Sequence, residues 1–152
     1  MPIHISQATH FWIEAGAMSG YYRHQIEFPN HLAEFFNAND RRAGIVLIHL
    51  IGSHTNNLLP RPIMYRGDDY DHYSQDIWRL GLPTPAEGGP VYAGQVILFK
   101  RIVADGDPEH YDLTVDSPGS VAANKWRSDA LASPNGMVDR TGRNSGRPFG
   151  FW

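Results

Sequence analysis

Two stretches decide the fold: AGIVLIHLI at residues 43–51 and YAGQVILFKRIV at 92–103. Both are nearly continuous apolar runs rich in β-branched residues. They read as buried strands. Working outward, residues 10–14 give a first strand, and 21–28 a strand or arm rich in aromatic and polar groups. Pro29-Asn30 opens a short helix, because Leu32, Phe35 and Phe36 fall at i, i+3, i+4 and make one apolar face; residues 37–40 end it. Residues 61–66 alternate, with Ile63 and Tyr65 on one face. Ile77 and Trp78 anchor a strand over 76–80. Asp105-Gly106-Asp107-Pro108 is a turn, and residues 111–115 alternate beyond it, so that 92–115 makes a hairpin. Residues 118–126 predict a second short helix, 133–136 a turn, and the Gly- and Arg-rich 141–150 a linker or tail. Six or seven short strands with one or two short helices favour a sandwich or barrel over a βαβ layer.

The composition agrees. The chain has 152 residues, 41% of them hydrophobic, enough for one core, while 15 Gly and 11 Pro argue against a helical bundle. With no Cys, a disulfide scaffold, a zinc knuckle and a Cys nucleophile are excluded. No apolar run nears the roughly 20 residues that span a bilayer. The first residues have neither a basic nor an apolar signal region. The expectation is a soluble cytoplasmic protein.

The net charge of −3 is uneven: residues 61–120 hold five bases against ten acids, whereas 121–152 sum to +3. Eleven of the thirteen bases are Arg, whose fork binds carboxylates, phosphates and guanine edges at two points. A net acidic domain is a poor non-specific nucleic-acid binder, so any DNA affinity must come from a few placed contacts.

Catalytic patterns are sparse. There is no G-x-S-x-G elbow, Ser53-His54 has adjacency without triad geometry, and no phosphate-cradling glycine pattern is followed by Lys-Ser or Lys-Thr. Many metal-dependent nucleases place an acid two residues before a Lys, so that the carboxylate holds Mg²⁺ beside the amine. Here those positions are Leu98 (before Lys100) and Ala123 (before Lys125), neither of which ligates a metal. Asp68, Asp69, Asp71 and His72 offer carboxylates and an imidazole for a divalent ion, although without helical His spacing or the calcium-hand pattern. His49 reads as a strand residue facing a polar neighbour.

Two polar segments interrupt the strand pattern: Tyr21-Tyr22-Arg23-His24-Gln25, and RGDDYDHYSQD at 66–76. Each mixes aromatic surface with groups that read bases: Arg on guanine, Gln on adenine, a carboxylate on the cytosine amine. On composition alone they are equally well two solvated loops.

The chain resembles the N-terminal DNA-binding domain of EcoRII-type restriction endonucleases. The carrying residues are His24-Gln25, Phe28-Pro29 and the helix to Phe36; Arg61-x-Ile63-x-Tyr65; Ile77-x-Arg79-x-Gly81; Gly94-x-x-Ile97-Leu98-Phe99-Lys100; and Ala130-Leu131-x-Ser133-Pro134-x-Gly136. The similarity spans about residues 19–142, and order and spacing carry it rather than any single motif. The resemblance implies a mainly-β, plant B3-like open pseudobarrel of about seven strands with one or two short helices over residues 1–142. Residues 143–152 are then a tail or the start of a linker. It further implies a clamp of two arms that reads double-stranded CCWGG (W being A or T) without cleaving it. Arm one maps to Tyr22, Arg23, His24 and Gln25. Arm two maps to Arg66, Asp68, Asp69, Asp71, His72, Tyr73, Ser74, Gln75 and Asp76, with Arg79 beyond it. Arg23 and Arg66 are the expected guanine contacts, and Lys125, Arg127, Arg143 and Arg147 the expected phosphate contacts. Cleavage is assigned to a separate, covalently linked nuclease domain that uses Mg²⁺; this domain needs no cofactor or metal, makes no membrane contact, and is expected to be a monomer in a bacterial cytoplasm. The pattern departs from the family where Tyr21, Tyr22 and Arg23 precede His-Gln, and where four Asp outnumber Arg66 in a commonly basic arm. Two other classes remain open: a small metal-dependent hydrolase using the 68–72 loop, and a carbohydrate- or peptide-binding β domain using exposed Tyr and Trp.

Overall fold

The computed structural model describes residues 4–16, 24–38, 42–52, 57–65, 77–132, 137–141 and 147–152. Nine strands form one sheet among these residues: β1 His10–Glu14, β2 Gln25–Pro29, β3 Gly44–Leu50, β4 Leu59–Tyr65, β5 Ile77–Gly81, β6 Val96–Ile102, β7 His110–Asp116, β8 Met137–Thr141 and β9 Arg147–Phe151. Their order is β2-β5-β4-β3-β7-β6-β1-β9-β8. The sheet curls into an open half-barrel with two short helices, α1 Asn30–Ala33 and α2 Val121–Ala132. Pairing is antiparallel except between β3 and β7, which run parallel with Ile48 opposite Tyr111.

The concave face holds the core. Phe11 of β1 is fully buried, and its ring packs 5.6–6.4 Å from those of Phe28, Phe35, Phe36, Phe99 and Phe149. These partners come from β2, the helical segment, β6 and β9. Pro29 precedes α1 with φ −69°, and a 3₁₀ turn, Glu34–Phe36, continues the helix until Asn37 stops it in the left-handed region at φ 59°. The carbonyl of Phe35, left unpaired by that stop, accepts from the Arg101 guanidinium and from Tyr111 Oη.

A second, smaller core lies on the convex side. There α2 covers Trp12, Val96 and Leu98 with Ala123, Trp126 and Ala130. Ser120 caps the helix, its Oγ accepting from Ala123 N at 3.0 Å. The two positions that precede each Lys by two, Leu98 and Ala123, are thus packing positions. No helix among the described residues is long and apolar enough to cross a membrane.

Two expectations are corrected. The run 43–51 is not buried on both faces: Val46, Ile48 and Leu50 point inward, while Ile45 is 65% exposed. The single curled sheet covers β3 on its concave side, and α2 shields only the neighbourhood of β1 and β6. More consequentially, Arg147–Phe151, read as part of a tail, is a strand of the sheet. β9 pairs with β1 and β8, and it buries Phe149 and Phe151 in the main core. Gly150 between them lies against the Trp12 indole, where a Cβ would come within 2.5 Å of Nε1. The glycine read as a linker residue is a packing requirement. The last residue, Trp152, stacks on His10 at 4.5 Å, and its backbone exchanges hydrogen bonds with that of His10.

Phe149→Ala removes a ring from the centre of the core and should cost about 3–5 kcal/mol in urea unfolding, whereas a tail residue would cost nothing measurable. The His10 imidazole is held below the usual histidine range, first by burial and then by Lys100. On acidification the unfolded chain therefore binds this proton first. The contribution of His10 to stability is present above about pH 6.5 and lost below it. Unfolding midpoints should fall between pH 7.5 and 5.5, and fall less in His10→Gln.

Candidate nucleic-acid interface

Tyr22, Arg23, Arg66, Asp68, Asp69, Asp71, His72, Tyr73, Ser74, Gln75, Asp76 and Arg143 lie outside the described residues, as do Ser53 and His54. The roots of both arms are described. Arm one leaves β1 through Ala15, whose N–H donates to Gln95 O, and Gly16, whose carbonyl accepts from Gly94 N. It returns at His24, whose carbonyl accepts from Leu82 N at 2.7 Å and whose ring stands edge-on to Tyr92 at 6.5 Å. Tyr92 is itself buried and donates from Oη to Pro83 O at 2.7 Å; burial pushes its phenol above the usual tyrosine range. The loop between is tightly built. Thr84 and Glu87 cap the 3₁₀ turn Pro85–Glu87. A Cβ at Gly89 would come within 2.0 Å of Pro83 O. The Thr84 N–H holds the Glu87 carboxyl below its usual range, and Arg61 Nη1 sits 3.1 Å from the same oxygen.

Arm two leaves β4 after Tyr65 and returns at Ile77. Tyr65 and Trp78 meet edge to face at 5.6 Å, and Trp78 Nε1 donates to Asn30 Oδ1 at 2.7 Å. This root is therefore fastened to the first residue of α1.

Register relates the two roots. β2 and β5 pair with Gln25 opposite Gly81 and Pro29 opposite Ile77. Arm one is thus rooted beside the C-terminal end of β5 and arm two at its N-terminal end. The strand between them spans about 13 Å. Ile26, Phe28, Trp78 and Leu80 face the core, so the alternate residues Gln25, Glu27 and Arg79 face outward between the roots, with the exposed Met64 of β4 opposite Arg79.

Arg79 was expected to contact DNA with arm two. It lies instead within β5, directly opposite Glu27, with Nη2 3.3 Å from Glu27 Oε1 and a side chain only 12% exposed. Its guanidinium is not a free fork in this state. Arg127 is likewise engaged: it pairs with Glu14 and lies over the Trp12 ring at 5.5 Å. Glu14 ends the strand that leads into arm one, so Arg127 braces that root. Lys125 makes an i,i+4 pair with Asp129 at 2.9 Å, but it is 71% exposed, and so exposed a pair holds it weakly. Arg147 opens β9 opposite Thr141. The structure brings together His24, Gln25 and Arg79; Lys125 and Arg127 sit on α2, over the β1–β6 part of the sheet.

Sequence reasoning missed Glu27 and Arg61. The signal for Glu27 was present: it alternates with Ile26 and Phe28, as Arg79 alternates with Trp78 and Leu80. Its partner depends on a register that no single sequence contains. Arg61 was quoted only as a resemblance residue.

His49 does face a polar neighbour: its Nδ1 lies 3.0 Å from Asp112 Oδ1 across the parallel β3–β7 pair. Among the described residues no group of three His, Asp or Glu is arranged to hold a metal ion. Trp12, Trp78, Tyr92, Tyr111 and Trp126 are all buried, and Tyr65 and Trp152 are partly covered, so the described residues present no open aromatic platform.

A Cβ at Gly81 would lie 2.9 Å from Arg61 Nη2 and 3.2 Å from the Pro62 ring. Gly81→Ala should therefore destabilise by about 1–3 kcal/mol in thermal or urea unfolding and disturb the Arg61–Glu87 pair at the arm-one root. Comparison with protein-family models, with curated proteins and with solved structures finds no match for this chain.

Proposed function

We propose that this chain is a sequence-specific double-stranded DNA-binding domain. Two arms rich in base-reading groups clasp one duplex, and cleavage belongs to a covalently linked, Mg²⁺-dependent nuclease domain. The observation that carries the reading is the placement of the roots. Both polar segments spring from opposite ends of one strand pair, about 13 Å apart, on either side of a single outward face. This spacing is comparable to the roughly 12 Å width of a major groove, so both segments can approach one duplex from its major-groove side. The residue types in the segments supply the rest: Arg23 and Arg66 for guanine, Gln25 and Gln75 for adenine, and Asp side chains for cytosine amines. The resemblance to EcoRII-type recognition domains supports the same reading and supplies the target, CCWGG.

Net charge is consistent with recognition by placed contacts rather than by a broad basic field. At −3 the chain has little electrostatic attraction for arbitrary DNA, so discrimination rests on the arms. The reactions of a metal hydrolase at 68–72 would instead require a divalent ion at Asp68, Asp71 and His72. Calorimetry with Mg²⁺, Mn²⁺ and Zn²⁺ separates that reading from this one.

The test is a gel-shift panel with a CCWGG duplex, a CCSGG duplex and a scrambled duplex at two salt concentrations. Wild type should prefer CCWGG. Arg23→Ala and Arg66→Ala should each weaken that complex by about 1–3 kcal/mol and relax discrimination at one base pair. Wild-type affinity in both variants, or no preference among the duplexes, refutes the assignment.

A further inference from the structure

A cavity of about 370 Å³ opens beside the first half of β3, where the helical segment stops at Asn37. Its volume falls within the range of about 300–1,000 Å³ typical of small-molecule sites. Phe36, Val46, Ile63 and Tyr111 line it; all four are buried, and the rings of Phe36 and Tyr111 stand 5.0 Å apart. These residues come from the 3₁₀ turn, β3, β4 and β7, so four separate parts of the fold make the apolar floor. The Tyr111 hydroxyl is engaged by the chain itself: Oη donates to Phe35 O at 3.1 Å. Burial pushes its phenol up to about 12, so the group stays neutral.

Two charged side chains also line the cavity, and they differ in what holds them. Glu109 is engaged on both oxygens: Oε2 accepts from Asn37 Nδ2 at 3.0 Å, and Oε1 lies 3.5 Å from Arg101 Nε. Arg42 is exposed and makes no hydrogen bond or ion pair with any described residue. Its fork is open to an anion, and a carboxylate meets such a fork at two points. We propose that this cavity binds a small aromatic carboxylate, with the ring against the apolar floor and the carboxylate on Arg42. The rings of Phe36 and Tyr111 favour an aromatic body, since ring pairs add to the gain from burial. The guanidinium then selects molecules that carry an acid. An anion without a ring has only an exposed ion pair, which contributes little in water. None of these residues belongs to the two polar segments, so the inference goes beyond the DNA-binding reading and does not depend on it.

The experiment is an NMR titration of the full chain with naphthoate, with its neutral isostere naphthamide, and with acetate. Thermal melting establishes that each variant is folded at the assay temperature. Naphthoate should give saturable shifts centred on the backbone amides of Phe36, Asn37, Arg42, Val46 and Tyr111. Naphthamide should bind about tenfold more weakly, the loss of one charge-assisted contact, and acetate should give no saturable shift. Arg42→Gln should weaken naphthoate by about tenfold, to the naphthamide level, and leave naphthamide unchanged. Arg42→Lys keeps the charge without the fork and should fall between. Val46→Phe, which fills the floor, should abolish binding of both ring compounds; if it does not fold, the Arg42 variants decide. Equal naphthoate affinity in wild type and Arg42→Gln, equal affinity for naphthoate and naphthamide, or shifts that fail to saturate or centre elsewhere overturn the proposal. So does a folded Val46→Phe protein that binds as wild type. Failure of the recognition reading registers separately, as equal binding of CCWGG and scrambled duplexes in the gel-shift panel.

Discussion

The fold depends on Phe11. β1 and β2 stand six places apart in the sheet order, yet the rings of Phe11 and Phe28 meet edge to face at 6.3 Å. They can do so only because the sheet curls. Phe11 also touches rings from the α1 segment, β6 and β9, so one side chain joins four parts of the molecule across the concave face. Each aromatic contact adds about 0.5–1.5 kcal/mol beyond the area it buries. The curl also brings the end of β1 to the same loop that receives the chain's return at His24.

The strands at 10–14, 43–51 and 92–103, the helix after Pro29 and the 105–108 turn were legible because each is written in a local pattern: alternation, i/i+3/i+4 spacing or turn chemistry. What was not legible is long-range. Arg147–Phe151 reads as a Gly-, Pro- and Arg-bearing tail in isolation. It is a strand only because Trp12 leaves room over Gly150 and because the core lacks two rings without Phe149 and Phe151. Residues 43–51 look buried on both faces because nothing in the run says that only one side of the sheet is covered. At the candidate interface the two polar segments stand out in the composition, but the engagement of Arg79 by Glu27 does not. That pairing is a fact of register, and shifting β2 by one residue against β5 would put Phe28 opposite Arg79.

Arginine chemistry ties fold and function together. Arg61, Arg79, Arg101 and Arg127 are all engaged within the chain, by Glu87, Glu27, Glu109 and Glu14 respectively. Arg101 and Arg127 also lie over the rings of Phe35 and Trp12. The planar fork suits this use, since one guanidinium can accept a carboxylate at its edge while its face covers an aromatic ring. Among the described residues, these four guanidiniums are thus held by the chain's own carboxylates.

Such a scaffold changes what recognition requires. A basic domain is held on DNA by its charge and samples sequence while bound. A neutralised one is not held unless its placed contacts form, so discrimination and affinity become the same set of interactions. That arrangement favours roots that do not move. His24 is pinned through Leu82 to a loop fastened by Tyr92 and the Thr84–Glu87 cap, and Tyr65 is pinned through Trp78 to Asn30. On the proposed DNA-binding reading, roots held in this way limit the entropy lost on binding. On that reading, the ion pairs that neutralise these arginines and the hydrogen bonds that hold the two roots act in the same direction.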